Sequence, residues 1–179
     1  MNIRLISGSI VTAIVLFIFG FIYWAINPLP YQSWNQVEDP VSAQKLAAEL
    51  FPESGLYFLP GPGNDPEAVK LLETGPAVFL TIDHSPVAGP DPAALAIGFF
   101  HNIVTVLLLS LLLSKATTLG SRLQLAGLVA VLAIVVINGS EFVWWMQPVS
   151  WIVHQAVYYL AYFLIATCIL HRFLPTKAA

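Results

Sequence analysis

Apolar and polar positions alternate along this chain in long blocks rather than in the short periods of a soluble domain. Leu5 to Ile26 is apolar and free of charge, with Tyr23 and Trp24 near its end. A mixed stretch follows from Asn27 to Pro92. Three more apolar blocks come after it, at about Ala93 to Leu113, from Arg122 onward, and at about Val149 to Phe173. A hydrocarbon core of about 30 Å takes about 20 helical residues. The first, second and fourth blocks reach that length unaided. The third is strictly apolar only to Ile137, so it crosses if Asn138, Gly139, Ser140 and Glu141 form its last turn, which places Glu141 at the membrane rim. Trp144, Trp145 and Trp151 then form an aromatic belt between the third and fourth helices, at the depth where aromatic rings settle among headgroups.

The first block can also be read as a signal peptide, because Arg4 gives it a basic start. It is longer than a typical signal core, and Asn27, Pro28, Leu29 and Pro30 follow it in place of a small-residue cleavage pattern. A retained anchor is therefore expected.

The block between the first two spans has the grammar of folded structure. Asp39 before Pro40 is an N-cap followed by proline at the first helical position, and it predicts a helix from about Val41 to Phe51. Asp65 and Pro66 repeat the signal ahead of a helix from Glu67 to about Thr74, which Gly75 ends. Gly55 to Pro60 and Pro76 to Ile82 read as two short strands. The connection between them is long enough for a right-handed parallel crossover. Open strand edges would remain, either to accept a strand from another chain or to be covered by Tyr31 to Val37. Ser85 to Pro92, with Pro86, Gly89 and Pro90, reads as a stiff linker. The predicted fold class is thus an all-α membrane protein of four transmembrane helices, with a small α/β extracytoplasmic module between helices 1 and 2. Its parts are the anchor 1–26, the acidic module and linker 27–92, and the three-helix region 93–179.

Composition sharpens this picture. Of the 179 residues 58% are hydrophobic and 9% charged, where a soluble domain carries roughly a quarter charged. Such a chain cannot coat its own core in water. Cys168 is the single cysteine, so no internal disulfide framework exists.

Charge then orients the helices. With the N-terminus inside, the inner segments hold Arg4, Lys115, Arg122, Arg172 and Lys177 and no acid, a charge of +5. The outer segments hold Lys45 and Lys70 against all ten acids, a charge of −8. This is the positive-inside pattern, and it predicts both termini in the cytoplasm.

No phosphate loop, nucleophile elbow, HExxH or CxxC pair occurs, and no basic aromatic surface points to nucleic acid. The candidate chemistry lies in polar residues within the spans, where each is costly. His101 and Asn102 sit roughly 12 Å into the second span, by helical rise, and His154 sits near the same end of the fourth. With Asn138 and Glu141 they form a candidate polar cluster. His154, Tyr158 and Tyr162 share one helical stripe, as do His101 and Thr105. One reading makes His101 and His154 axial haem ligands, or the lining of a quinone pocket with Tyr158. The other makes these groups interhelical hydrogen-bonding glue. Gly8 with Thr12, and Ser9 with Ala13, give small-xxx-small spacing for close helix packing. Asp83 with His84 reads as a solvated pair or part of a divalent-metal site. His171 beside Arg172 is expected to snorkel to the inner interface, and Cys168 to be a small core residue. Asn138-Gly-Ser140 lies too near the membrane to argue for glycosylation.

Gly20, Trp24, Pro28 and Pro30, then Gly55, Tyr57 and Pro60, then Gly75, Pro76 and Phe79, form a loose pattern that covers most of the chain. It resembles small bacterial four-span inner-membrane proteins with one periplasmic module. The resemblance implies a bacterial origin and carries over no catalytic residue.

The functional expectation is a non-catalytic accessory or assembly subunit, embedded in membrane lipid and docked on a larger membrane complex. A basic periplasmic protein would suit the acidic outer face. The alternatives are a redox subunit binding haem or quinone through His101 and His154, and a small transporter or channel.

Overall fold

The structure is a computed structural model that describes residues 3–61, 65–85 and 91–175. It contains four helices long and apolar enough to cross a membrane, as in a multi-pass membrane protein: Ile3–Ile26, Pro92–Leu113, Leu119–Trp144 and Val149–Leu170. The chain divides into two compact units, one made of 1–34 with 89–179 and the other of 35–88.

In the helical unit, α1 (Ile3–Phe21) runs into a π-helical turn at Ile22–Ile26 and a 3₁₀ turn at Leu29–Ser33. Asp91 caps the fourth helix of the chain, α4 (Pro92–Leu113), accepting from the backbone N–H groups of Ala93 and Ala94. Thr118 and Ser121 close a reciprocal capping box at the start of α5 (Leu119–Ala133). A π-helical turn at Ile134–Asn138 joins α5 to α6 (Gly139–Trp144), so the third span continues through Asn138 and Glu141 and ends at Trp144. The last helix is α7 (Val149–Leu170).

The core of this unit lies where α1, α4 and α7 meet, around Ala13, Leu16, Val106, Leu113, Ala166 and Leu170. Small side chains make that approach close. Ser9, Thr12 and Ala13 are buried, and the Ser9 hydroxyl donates to Ser110 Oγ on α4 at 3.2 Å. A Cβ added at Gly8 would stand 2.5 Å from the Phe173 side chain, so the glycine is what lets the end of the chain lie against α1. Cys168 departs from the core position expected of it. It faces outward on α7, while its neighbours Ala166 and Thr167 take the inward face.

The other unit contains α2 (Pro40–Leu50), β1 (Gly55–Leu59), α3 (Pro66–Thr74) and β2 (Val78–Ile82). Asp39 and Asp65 cap the two helices as the Asp-Pro pairs predict, accepting from Ser42 N at 3.1 Å and Glu67 N at 2.9 Å. The strands, however, are antiparallel, with Gly55 opposite Ile82 and Leu59 opposite Val78, and not the two ends of a parallel crossover. A crossover needs a helix that buries an apolar face on the sheet, and α3 buries Ala68 alone. The left-handed glycines Gly61 and Gly75 instead bend the chain at both ends of the connection and fold it back as a wide hairpin. Among the described residues the sheet has two strands, and in the helical unit Tyr31 and Trp34 pack on Trp151. Most of the linker, 86–90, lies outside the described residues, as does Lys177.

Candidate functional site

The intramembrane polar residues singled out by sequence gather at the end of the helical unit where Asp91 begins α4. Their hydrogen bonds form two sets. In the first, Tyr162 on α7 donates its hydroxyl proton to Asn102 Oδ1 on α4 at 2.8 Å. This bond orients the Asn102 amide and leaves its N–H₂ group unpaired among the described residues. The neighbouring His101 is exposed, and its ring has no hydrogen bond there either; its backbone carbonyl accepts from Thr105.

In the second set, Asn138 is fully buried at the end of the π-helical turn. It contacts the Gln155 side-chain amide at 2.5 Å and donates to Glu141 Oε2 at 3.3 Å, while its own Oδ1 is buried without a partner among the described residues. With the Gln155 amide turned so that its nitrogen donates to Glu141 Oε2 at 2.9 Å, its oxygen accepts from the Trp151 indole at 3.1 Å. The Glu141 carboxylate is thereby held by two neighbours, Asn138 in its own span and Gln155 on α7.

His154 enters neither set through its ring. Its backbone carbonyl accepts from the Tyr23 hydroxyl at 2.8 Å, which ties the end of α1 to α7. The Tyr158 ring lies at the centre of an aromatic file. It stacks on Phe19 with centroids 5.4 Å apart and planes within 2°, and meets Trp24 at 5.2 Å and Tyr162 at 6.0 Å. The file continues from Trp24 to Trp151 and on to Trp34 and Tyr31.

Two cavities flank this arrangement. One, of about 360 Å³, lies against Phe17, Trp24 and Leu95. The other, of about 320 Å³, lies against Ala133, Tyr159 and Phe163. His101, Asn102 and Tyr158 line both, and His154 lines neither. Gly20 leaves room for the Tyr158 hydroxyl, which would stand 3.0 Å from a Cβ there.

At the opposite end of the helical unit Arg122, counted in the sequence among the inner charges, is fully buried. Its Nε donates to the carbonyls of Leu113 at 3.3 Å and Ala116 at 3.0 Å. One terminal nitrogen meets His171 Nδ1 at 2.7 Å and the other donates to the Pro175 carbonyl. His171 therefore does not simply snorkel beside Arg172; it is a partner of Arg122. These acceptors cluster at and just beyond the C-terminal ends of α4 and α7, where helix carbonyls carry partial negative charge that favours a guanidinium. The sequence singled out Tyr23 only as a rim aromatic and Gln155 not at all, because spacing on their own helices does not distinguish either from ordinary rim residues.

In the 35–88 unit His84 is more than a solvated neighbour of Asp83. Its ring Nε2 lies 2.7 Å from the Phe51 carbonyl and its backbone N–H donates to Ser54 Oγ, so it pins the end of β2 to the end of α2. Asp83 accepts from Ser85 N, and that bond first, then the Ser85 side chain and the nearby His84, holds its carboxyl below the usual range. Among the described residues no group of three or more His, Cys, Asp or Glu side chains could hold a metal ion. No protein-family model, curated protein or solved structure matches the chain.

Proposed function

We propose that this chain is a non-catalytic accessory or assembly subunit of a larger complex in a bacterial inner membrane. In this reading both termini lie in the cytoplasm and the 35–88 unit docks on a partner in the periplasm. The observation that carries it is the state of that unit's apolar side chains. Among its described residues Ala68 alone is buried, while Val41, Leu50 and Leu56 are 77%, 60% and 69% exposed. A unit this small buries too little apolar surface to be robust alone, and uncovered apolar patches mark interaction sites. Its antiparallel pair adds an unpaired edge to which a partner strand can bond. Lys45 and Lys70 stand there against eight acids, a charge of −6 that favours a basic partner.

Two experiments test the reading. The full chain is extracted from its native membrane in a gentle detergent and run on a native gel beside Leu56→Glu, which alters the exposed strand and no buried contact. The wild type should migrate in a larger complex that the variant leaves; a wild type that emerges alone and monodisperse, or a complex indifferent to the variant, overturns the proposal. Orientation is tested by Lys45→Cys in a Cys168→Ser background. An impermeant maleimide should label it in intact spheroplasts, and labelling that requires lysis reverses the topology.

A further inference from the structure

We propose that the paired cavities around His101, Asn102 and Tyr158 form one binding site for the headgroup of a lipid-soluble quinone. The inference is independent of the docking role and rests on three observations. The first is unpaired polarity deep in an apolar span. His101 lies nine residues beyond Pro92 on α4, about 14 Å along the helix, where a bare imidazole and a free amide N–H₂ are costly without a partner. The Tyr162 hydroxyl satisfies Asn102 Oδ1 and leaves the donor side of the same amide facing no acceptor among the described residues. The ligand must therefore bring a hydrogen-bond acceptor.

The second observation is shape. Each cavity is at the lower end of the range typical of small-molecule sites, roughly 300 to 1,000 Å³, and the two share three lining side chains. Their further walls are aromatic, with Phe17, Phe21 and Trp24 on one side and Tyr159, Tyr162 and Phe163 on the other. Flat π faces at stacking range select a flat ring. A ring with carbonyl oxygens on opposite edges can meet Asn102 at one edge and His101 at the other.

The third observation is access. Phe21, Leu95 and His101 are exposed at the lip of the first cavity, so a long apolar tail can remain in the surrounding lipid while the ring enters. A phospholipid ester shares the acceptor and the tail but has no flat ring for those walls.

Trp24 provides the readout, because quinones quench indole fluorescence on contact. The full chain is placed in phosphatidylcholine nanodiscs and titrated with decylubiquinone. Wild type should show saturable quenching that is largely lost in Trp24→Phe. Asn102→Leu and His101→Leu should bind roughly tenfold more weakly, as for a lost hydrogen bond. Asn102→Leu also removes the Tyr162 acceptor and can loosen the fold. His101→Leu removes no intramolecular side-chain bond, and its unchanged circular dichroism shows that a weaker signal reports binding. Quenching that rises without saturation, or that saturates alike in wild type and His101→Leu, overturns the site. Displacement of the quinone by methyl laurate at equal concentration shows that an ester carbonyl suffices and overturns the ring assignment.

Discussion

The two units differ in how far their polar side chains reach. Both cap their helices with local bonds, but in the helical unit a further set joins helices distant in sequence: Ser9 to Ser110, Tyr23 to His154, Tyr162 to Asn102, Asn138 to Gln155 and Arg122 to His171. In the 35–88 unit most join near neighbours: Asp39 to Ser42, Tyr57 to Glu53, Asp65 to Glu67 and Asp83 to Ser85, with His84 as the long-range exception. The difference follows from the solvent each sequence is built for. In hydrocarbon nothing else competes for a donor or acceptor, so a polar pair can fix two distant helices. In water such a pair exchanges with solvent and yields little, so polar residues are most useful at helix ends and turns. The apolar side chains mirror this. The bundle buries a shared stripe of small and branched residues, whereas the other unit leaves Leu46, Leu50, Leu56, Leu59 and Leu71 exposed.

The largest expected effect tests the long-range side of that contrast. Arg122→Ala should cost about 3 kcal/mol or more, because it removes at once the buried donor that the Leu113, Ala116 and Pro175 carbonyls and His171 share. Unfolding by denaturing detergent, followed by circular dichroism, measures it. A loss of less than about 0.5 kcal/mol, typical of a surface site, would show that the buried guanidinium does not tie α4 to α7. Arg122→Lys should recover less than half, since one ammonium cannot span these acceptors.

Glycine replacement sharpens the packing side. Gly8→Ala places a methyl group against Phe173 and should destabilise by about 1 to 3 kcal/mol. Gly127→Ala meets nothing within 4 Å and should be neutral or stabilise by up to about 1 kcal/mol through helix propensity. Equal effects in the same unfolding assay would deny that close approach to α1 is specific.

Smaller still is Tyr162→Phe, expected to cost about 0.6 to 2 kcal/mol through the loss of one interhelical bond. Adding Asn102→Leu to it should cost less than the two single effects combined, because the two residues share that bond. Simple additivity would show that they do not communicate.

The finest test concerns the local side. The Ser42 hydroxyl, then the Ser42 backbone N–H, hold the Asp39 carboxyl below its ordinary value. Because the folded value is depressed, the cap's contribution is fully present above the unfolded value of about 3.9 and is lost as pH falls through the lower folded one. A carbon-detected NMR titration of Asp39 should therefore have its midpoint below about 3.9, with the Ser42 amide shift moving in step. A midpoint at or above that value would remove the cap, and Asp39→Asn, itself a good cap, should abolish the titration while keeping α2.

The sequence by itself determined what depends on neighbours along the chain. Block hydropathy marked the four spans to within a few residues, and Asp-Pro pairs with a trailing glycine marked α2 and α3, because hydrophobic run length and capping are local properties. It also drew attention to His101, Asn102, Asn138 and Glu141, since polarity inside an apolar run is visible without coordinates. Tertiary structure decided the rest. Strand direction depended on how Gly61 and Gly75 turn the chain and on whether α3 packs on the sheet, which two strand signals and a length leave open. Arg122 and Lys115 read alike as inner charges, yet only the approach of α4 and α7 makes one of them a buried hub. Likewise, that Asn102 meets Tyr162, and that His101 lines both cavities while His154 lines neither, was settled by helix rotation and π-helical turns. Helical period fixes which residues share a stripe, but only packing fixes which stripe a neighbouring helix meets.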